Sequence, residues 1–257
     1  MNGATRTSGP VVGGAPLGWT IAGTGDFDGD GKSDILWRGP TNEVAVWFMN
    51  GGTVVNVPQV GSIDTTWTIS GTGDFNRDGK ADILWRHTSG AVALWMMNGA
   101  TVTSGSFVAM APTNWTIKGT GDFDGDGSAD ILWRGPTGEV AVWLMNGATL
   151  TSGPVVGSAP LTWTISGTGD FNADLKSDVV WRGPNGEVAM WLLNGTTLTA
   201  GPLVASVPMT WSIVGVGDFN GDGKADILWR GPAGEVAIWM MNGATVTAGP
   251  LVASVAL

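Results

Sequence analysis

The sequence has no cysteine, no tyrosine and a single histidine, His87. Without cysteine the chain needs no disulfide and no thiolate metal site, which fits either an oxidising or a reducing compartment. A Ser-His-Asp site would have to be built on His87 alone. Outside one recurring loop, the carboxylates are Asp64 and four glutamates at repeated positions. Since an enzyme normally breaks internal symmetry at its single site, the sequence predicts that this protein is not an enzyme.

Basic residues are also scarce: 12 lysines and arginines stand against 22 acidic residues, giving a formal net charge of −10. An acidic surface repels phosphates, so no nucleic-acid partner is expected. The sequence has no run of eighteen apolar residues, so no membrane insertion is expected. Met1 is not followed by the basic and apolar regions of a signal peptide. Instead, the chain has 42 glycines and 13 prolines beside 43% hydrophobic residues, a composition typical of short strands joined by tight turns.

The fifteen tryptophans reveal an internal repeat, because they form three series in which each member follows the previous one by 48 residues. The series are Trp19, Trp67, Trp115, Trp163 and Trp211; Trp37, Trp85, Trp133, Trp181 and Trp229; and Trp47, Trp95, Trp143, Trp191 and Trp239. The repeats cover residues 19–66, 67–114, 115–162, 163–210 and 211–257. We interpret residues 1–257 as a single domain.

Each repeat contains four strand-like segments separated by turn residues. In the first repeat, segment A is 19–27, segment B is 34–38, segment C is 43–49, and segment D begins near residue 53 after an Asn-Gly pair that predicts a type I′ turn. No segment shows a 3.6-residue apolar period, so a helical solenoid is excluded. Four antiparallel strands in 48 residues is the size of a propeller blade. The predicted fold is therefore all-β, a five-bladed β-propeller.

The two ends of the chain both resemble segment D. Residues 1–18 and 241–257 match it, so that six D segments are available for five blades. In closed propellers, a strand from one terminus often completes the blade built by the other, which leaves no open edge. Residues 1–18 are thus an extra outer strand for ring closure, or for exchange with a second copy in a homo-oligomer. The sequence leaves open which end closes the ring, and whether the ring is closed or cut from a longer array.

The segment between A and B is an acidic nonapeptide, Asp26 to Asp34 in the first repeat. Side-chain oxygens fall at positions one, three, five and nine, and a glycine at position six permits the turn that brings the position-seven carbonyl into the same cage. The predicted metal ligands are Asp26, Asp28, Asp30, Lys32 and Asp34; Asp74, Asn76, Asp78, Lys80 and Asp82; Asp122, Asp124, Asp126, Ser128 and Asp130; Asp170, Asn172, Asp174, Lys176 and Asp178; and Asp218, Asn220, Asp222, Lys224 and Asp226.

These loops hold 17 of the 22 acidic residues. Two carboxylates about 4 Å apart repel by roughly 4 kcal/mol at an effective dielectric constant of 20, so the loops favour a cation. Magnesium usually keeps several waters, whereas calcium accepts six to eight oxygens, so the predicted cofactor is Ca²⁺, about one ion per blade. In the fourth loop Leu175 replaces the glycine of position six, so we expect the weakest binding there.

The sequences GDFDGDGKSDILWR, GDFNRDGKADILWR and GDFNGDGKADILWR resemble the FG-GAP or VCBS repeats of bacterial extracellular proteins. They are also similar to the calcium-binding blades of integrin α-subunit propellers and to certain fungal propeller lectins. The resemblance covers the whole chain. It implies a propeller with calcium in the A–B loops and an extracellular or cell-surface role in adhesion or carbohydrate binding. Many relatives have seven blades, and Leu175 departs from the repeat pattern.

Two functions remain open from the sequence: a lectin-like module with several similar sites, or a structural propeller that binds a cell-surface protein and has no sugar pocket, possibly an excised or engineered repeat domain. Most tryptophans are expected to pack between blades. The candidates for sugar stacking are Trp47, Trp95, Trp143, Trp191 and Trp239, with Arg86 as a further ligand-binding residue. Arginines such as Arg38 either pair with glutamates such as Glu43 across two strands or face a ligand. In the second repeat Ala91 replaces the glutamate, which leaves Arg86 unpaired beside His87.

Overall fold

A computed structural model describes residues 11–254, which form strands and turns arranged as a five-bladed β-propeller, as predicted. In this part of the chain there is no helix long and apolar enough to cross a membrane. The first blade consists of β1 (Thr20–Gly25), β2 (Asp34–Arg38), β3 (Glu43–Asn50), β4 (Thr53–Asn56) and β5 (Gln59–Ser62). The second consists of β6 (Trp67–Gly73), β7 (Asp82–His87), β8 (Ala91–Asn98) and β9 (Thr101–Met110).

The remaining blades repeat the pattern of the first. The third consists of β10 (Thr116–Gly121), β11 (Asp130–Arg134), β12 (Glu139–Asn146), β13 (Thr149–Ser152) and β14 (Val155–Ser158). The fourth consists of β15 (Thr164–Gly169), β16 (Asp178–Arg182), β17 (Glu187–Asn194), β18 (Thr197–Ala200) and β19 (Leu203–Ser206). The fifth consists of β20 (Ser212–Gly217), β21 (Asp226–Arg230), β22 (Glu235–Asn242), β23 (Thr245–Ala248) and β24 (Leu251–Ser254). All neighbouring strands within a blade are antiparallel.

The outer strand of a blade is continuous only in the second blade, where β9 runs along the whole of β8. In the other blades a proline divides this strand into two pieces, and Ser106 stands at that position in β9. Proline has no N–H to donate to a neighbouring strand, so it interrupts the ladder. The four prolines are Pro58, Pro154, Pro202 and Pro250.

The inner strand of every blade contains a β-bulge, seen in the first blade as a register shift between Ile21 and Gly23. The predicted type I′ turn after β3 is wrong, because Asn50 pairs with Thr53 and only Gly51 has a positive φ, of 59°. A left-handed first central residue followed by an ordinary second one is typical of a type II′ turn.

The hydrophobic core lies between blades. We call the face of a blade that points to the next repeat its trailing face, and the opposite face its leading face. Each cluster joins the trailing face of one blade to the leading face of the following blade. Between the first two blades, Phe27, Leu36 and Val44 supply the trailing face. Ile83 and Trp85 belong to the leading face of the second blade, and all five side chains are fully buried.

The inner strands approach each other closely, which requires glycine. A Cβ on Gly25 would lie 2.6 Å from the Cβ of Ala81 in the next blade, and a Cβ on Gly23 would lie 3.1 Å from Thr72 Cγ2. The Thr72 hydroxyl donates a hydrogen bond of 2.6 Å to the Thr24 carbonyl. The close approach recurs up to the fourth and fifth blades, and the hydrogen bond recurs in the next two interfaces. These glycines therefore occupy a crowded position where the inner strands meet.

The C-terminal copy of segment D completes its own blade, since β23 and β24 both pair with β22. Of the N-terminal copy, residues 1–10 lie outside the described part of the chain, and residues 11–18 form no strand. Gly13 nevertheless lies against the ring of Trp47, where a Cβ would be 3.1 Å from Cζ3. In the same way, a Cβ on Gly61 would lie 3.0 Å from Cζ3 of Trp95 in the second blade.

Candidate metal-binding loops and aromatic pockets

Each A–B loop folds around the carboxylate of its first residue. In the first loop, Asp26 Oδ1 accepts hydrogen bonds from the N–H groups of Gly29 and Asp30 (2.7 and 3.1 Å), and Oδ2 accepts one from Gly31 (2.7 Å). Positions four and six adopt left-handed backbone conformations, with φ of 80° and 82° at the two glycines. The three bonds recur in all five loops. Local sequence spacing therefore produces five loops of the same shape.

The carboxylate at position nine is buried and joins the loop to the third strand of the blade. Asp34 Oδ2 accepts the N–H of Phe27 at 3.0 Å, and Oδ1 accepts the N–H of Met49 at 2.9 Å. The equivalent residues are Asp82, Asp130, Asp178 and Asp226. Sequence reasoning treated this residue only as a metal ligand. Its position directly before an apolar strand, as in Asp34-Ile35-Leu36, is the signal that indicated burial.

Burial raises the pKa of these position-nine carboxyl groups, against the opposing effect of their two N–H bonds. The pKa is about 6 for Asp82 and about 7 for Asp130 and Asp178, and it is also raised for Asp34 and Asp226. Neighbouring loop carboxylates contribute in the same direction. Since a cation among these groups would favour their ionised forms, the electrostatics of the loop suit a bound metal ion.

In two loops the carboxylates converge closely enough to share one ion. Asp26, Asp28 and Asp34 each offer an oxygen within 4.8 Å of the others, and so do Asp122, Asp124 and Asp130. Oxygens bound to calcium at 2.3–2.6 Å can be at most about 5 Å apart, so both groups fit such an ion. In the other loops position three is an asparagine whose side-chain oxygen accepts the N–H of position five; these residues are Asn76, Asn172 and Asn220.

The position-five carboxylates lie outside these two groups. Asp30 Oδ2 contacts Lys32 Nζ at 2.6 Å, while Asp126 forms an ion pair with Arg77 from the preceding blade. Arg77 Nε also donates to Ser128 Oγ at 2.7 Å. This link between loops was missed, because it depends on the packing of two blades. The position-seven residues Lys32, Lys80, Ser128, Lys176 and Lys224 donate their backbone N–H groups to the position-five carboxylates.

Leu175 does not open the fourth loop. Its backbone adopts φ of 67°, and its N–H donates to Asp170 Oδ2 at 2.7 Å, as Gly31 does to Asp26. Ala173 at position four has φ of 63°, and the Leu175 side chain is 78% exposed. The loop thus keeps the common shape at the expense of a leucine in a left-handed backbone conformation.

Replacing Leu175 with glycine is expected to stabilise the protein. A non-glycine residue in the left-handed region costs about 1–2 kcal/mol, and the exposed side chain contributes little packing that would be lost. Chemical denaturation should therefore show a free energy of unfolding higher by about 1 kcal/mol for Leu175→Gly. Leu175→Ala is the matched control, because it removes the side chain and keeps the backbone strain. Equal stability of the two variants would contradict this explanation.

Tryptophans from all three series converge on one cavity in the third blade and in the fifth. Trp115, Trp133 and Trp143 line a cavity of about 250 Å³, and the equivalent cavity of about 270 Å³ in the fifth blade is lined by Trp211, Trp229 and Trp239. Trp133 and Trp143 have ring centroids 4.8 Å apart. All five third-series tryptophans, the sugar-stacking candidates, are partly exposed.

The second-series tryptophans are the more deeply buried ones, and the indole N–H of each lacks a hydrogen-bond partner in the described structure; the five residues are Trp37, Trp85, Trp133, Trp181 and Trp229. An unpartnered buried donor costs about 1–3 kcal/mol. In the third and fifth blades this tryptophan also lines the cavity, although its indole nitrogen is itself buried.

The predicted pairing of Arg38 with Glu43 is wrong. Arg38 donates to the carbonyl oxygens of Asn42 and Ile63 at 2.8 and 2.5 Å, and its guanidinium lies 5.5 Å from the ring centroid of Trp85 in the next blade. Glu43 instead accepts the N–H of Thr41 at 3.0 Å. These arginines therefore cap backbone carbonyls and stack on the neighbouring blade.

As predicted, Arg86 has no carboxylate partner among the described residues, yet it behaves like the other arginines of its series. Its guanidinium donates to the carbonyl oxygens of Gly90, Ala111 and Pro112 and lies 5.1 Å from the ring centroid of Trp133. Arg86 and His87 also line a separate, more open cavity of about 450 Å³ between the second and third blades.

Comparison with known proteins agrees with this architecture. The FG-GAP-like repeat family matches residues 26–85, 122–181 and 170–229. No curated protein matches the chain. The C-terminal WD40 domain of Sif2 is 17% identical with a TM-score of 0.46, and the match covers 95% of this chain and 61% of that one. Chaetomium thermophilum Raptor is 11% identical with a TM-score of 0.54, covering 100% of this chain and 22% of that one.

The Raptor match shows the fold alone, because the identity is low, and this chain spans less than two thirds of either solved structure. The family match is different in kind, since it covers well over half of the sequence and falls on the acidic loops and the strands beside them. The chain therefore belongs to the FG-GAP-like repeat family.

Proposed function

We propose that this protein is an extracellular or cell-surface adhesion module that binds calcium in its acidic loops and carbohydrate in its tryptophan-lined cavities. The observation that carries the proposal is the convergence of Trp115, Trp133 and Trp143 on one cavity. Indole faces offer apolar contact to the C–H face of a sugar ring. A propeller of this family suits an interaction or adhesion role.

The size and repetition of the cavities support a small ligand held at several points. Volumes of about 250 and 270 Å³ lie just below the usual range for small-molecule pockets, which suits a single sugar ring. Weak binding at equivalent sites on one rigid body gains strength when the target is itself repetitive. A glycan surface is such a target.

Calcium is the cation that fits the loops best in this proposal. Three carboxylates converge in the first and third loops, and Ca²⁺ accepts a larger and less regular set of oxygens than Mg²⁺. Extracellular modules commonly bind calcium with dissociation constants of about 10⁻⁴–10⁻³ M, which suits loops that are mostly exposed.

Binding of a single sugar is the test. In millimolar calcium, calorimetry against monosaccharides identified on a glycan array should show binding to the native chain. The double variant Trp143→Ala/Trp239→Ala should lose the sites of the third and fifth blades, which lowers the stoichiometry by two. The matched control is Leu203→Ala, since this exposed residue of β19 lines neither cavity. An unchanged stoichiometry in the double variant would contradict the assignment.

A second function, binding of a cell-surface protein without a sugar pocket, is favoured by one feature of the outer strands. Four blades expose a large apolar side chain at the same position: Phe107, Val155, Leu203 and Leu251, between 56% and 67% exposed. Such side chains at an outer edge are typical of protein contact. Silence on glycan arrays, together with a specific protein partner that Leu203→Ala weakens, would establish this function instead.

A further inference from the structure

The four interfaces between consecutive blades are copies of one design. The arginine of each blade stacks on the second-series tryptophan of the next, with 5.0–5.5 Å between guanidinium carbon and ring centroid. The two carbonyls after the inner strand, such as those of Asp26 and Phe27, accept N–H bonds from the next blade. The inner-strand threonine donates to the preceding inner strand in the first three of the four interfaces.

Within residues 11–254 the fifth blade does not make this interface with the first. On the fifth trailing face Phe219, Leu228 and Val236 are partly exposed, whereas their equivalents in the other four blades are fully buried. No neighbour lies within 4 Å of a Cβ built on Gly217, while the same atom on Gly25 meets Ala81.

The first blade exposes the opposite face. Ile35 and Trp37 are partly exposed, although the equivalent residues of the other blades are 0–1% exposed. Ile21 of the inner strand is 61% exposed. Within the described residues, the first and fifth blades thus present the two halves of an interface that the protein forms four times internally.

Every polar partner needed for a fifth copy of the interface is present in these two faces. Arg230 corresponds to the stacking arginine and Trp37 to the tryptophan beneath it. Thr24 supplies the hydroxyl donor for the Val216 carbonyl. Ser33 replaces the alanine found in three blades, but Ser177 already occupies that place between the third and fourth blades and donates its N–H to the Asp122 carbonyl at 2.6 Å.

We propose that the fifth blade of one copy packs against the first blade of a second copy, so that the chain associates head to tail through a fifth copy of its own blade interface. Both surfaces are apolar, complementary and continuous with the internal design, whereas a partner of different sequence would have to reproduce that design. A heterologous contact of this kind leads to a closed ring or an extended assembly, depending on the rotation between blades.

Residues 11–14 take part in this contact. They are the sequence equivalents of β5, β14, β19 and β24, and Gly13 already lies on Trp47 as the outer strand of a preceding blade would. In the complex, residues 11–14 of the receiving copy lie next to Trp47 of the same copy. They take the place that β24 of the incoming fifth blade would otherwise occupy. The receiving copy thereby supplies an outer strand to its partner.

Cysteine cross-linking tests the proposal directly, because the native chain has no cysteine. At the equivalent internal contact, a Cβ built on Gly119 lies 3.8 Å from Thr168 Cβ, the distance typical of a disulfide. Mixing the single variants Gly215→Cys and Thr24→Cys under mild oxidation is expected to give a heterodimeric disulfide. Thr72→Cys is the matched control for Thr24→Cys, because Gly23 of the same chain covers Thr72.

Sedimentation of the native chain at tens of micromolar should give a mass at least twice that of the 26.4 kDa chain, and Arg230→Glu should weaken the association at least tenfold. Lys118→Glu makes the same charge change at an exposed residue of β10 in the third blade, which belongs to neither face, so association should persist. A native chain that stays monomeric would overturn the proposal. The double variant Gly215→Cys/Thr24→Cys gives a second test. If it forms a disulfide within one chain while the two single variants form no cross-link, the chain closes on itself and the proposal is also overturned.

Discussion

Replacing Asp130 with alanine is expected to lower the free energy of unfolding by about 3–5 kcal/mol, since each hydrogen bond to a charged group contributes about 1.5–3 kcal/mol. The carboxylate is fully buried and accepts the N–H groups of Phe123 and Met145 at 2.9 and 2.8 Å. Its loss leaves two buried donors without a partner and separates the third loop from β12. Urea denaturation in EGTA, at a pH above the Asp130 pKa of about 7, measures the change without the contribution of a bound ion.

The matched control is Asp126→Ala in the same loop. Asp126 is also a loop carboxylate, but its partner is the half-exposed guanidinium of Arg77, so its removal should cost no more than about 1 kcal/mol. Asp130→Asn keeps one acceptor oxygen and is expected to fall between the two. If Asp126→Ala and Asp130→Ala were equally destabilising, the separate structural role of position nine would be refuted.

Removing calcium with excess EGTA is expected to lower the Tm by about 10–20 °C. At a hundredfold excess of free ion over the dissociation constant, each bound ion stabilises the folded state by about 2.7 kcal/mol. The two loops with three convergent carboxylates would together supply about 5 kcal/mol, and for a chain of this size 1 kcal/mol shifts the Tm by about 2–4 °C. Calorimetric scans with calcium, with magnesium and with EGTA measure the effect, and magnesium should restore little of it.

The pH dependence of the protein's stability should have opposite signs in EGTA and in calcium. The position-nine carboxyl groups of Asp82, Asp130 and Asp178 have pKa values of about 6 to 7 in the folded protein, above their ordinary value of 3.8. A raised folded pKa stabilises the protein at pH below the unfolded pKa, and this contribution is lost as the pH rises through 6 to 7. In EGTA, stability should therefore fall between about pH 4 and pH 7. In calcium it should rise over the same range, because protons compete with the ion. A Tm that is the same in EGTA and in calcium at every pH would argue against bound cations.

The third-strand partner of Asp130 shows why part of the loop chemistry was not predictable. The nonapeptide spacing predicted a sharp turn with glycine at position six. The structure has such a turn, built around Asp122, whose donors at Gly125, Asp126 and Gly127 are at most five residues away. The N–H of Met145 is 15 residues from Asp130, and only strand pairing brings it there. The predicted Arg–Glu pairs failed for a related reason. Opposite charges across two strands suggested an ion pair, but carbonyls and the indole of the next blade surround the guanidinium more closely.

By itself the sequence determined the repeat, the number of blades, the strand order within a blade and the position of every acidic loop. These features follow from hydrogen bonds and turns between residues close together in the chain, and an unbroken 48-residue period places them without ambiguity. Only the tertiary structure decided that Asp30 lies outside its carboxylate group, that three tryptophans share a cavity, and that the first and fifth blades leave matching faces uncovered. Each of these depends on side chains from strands or blades that meet only after folding, and the packing of such surfaces leaves no mark in local sequence spacing.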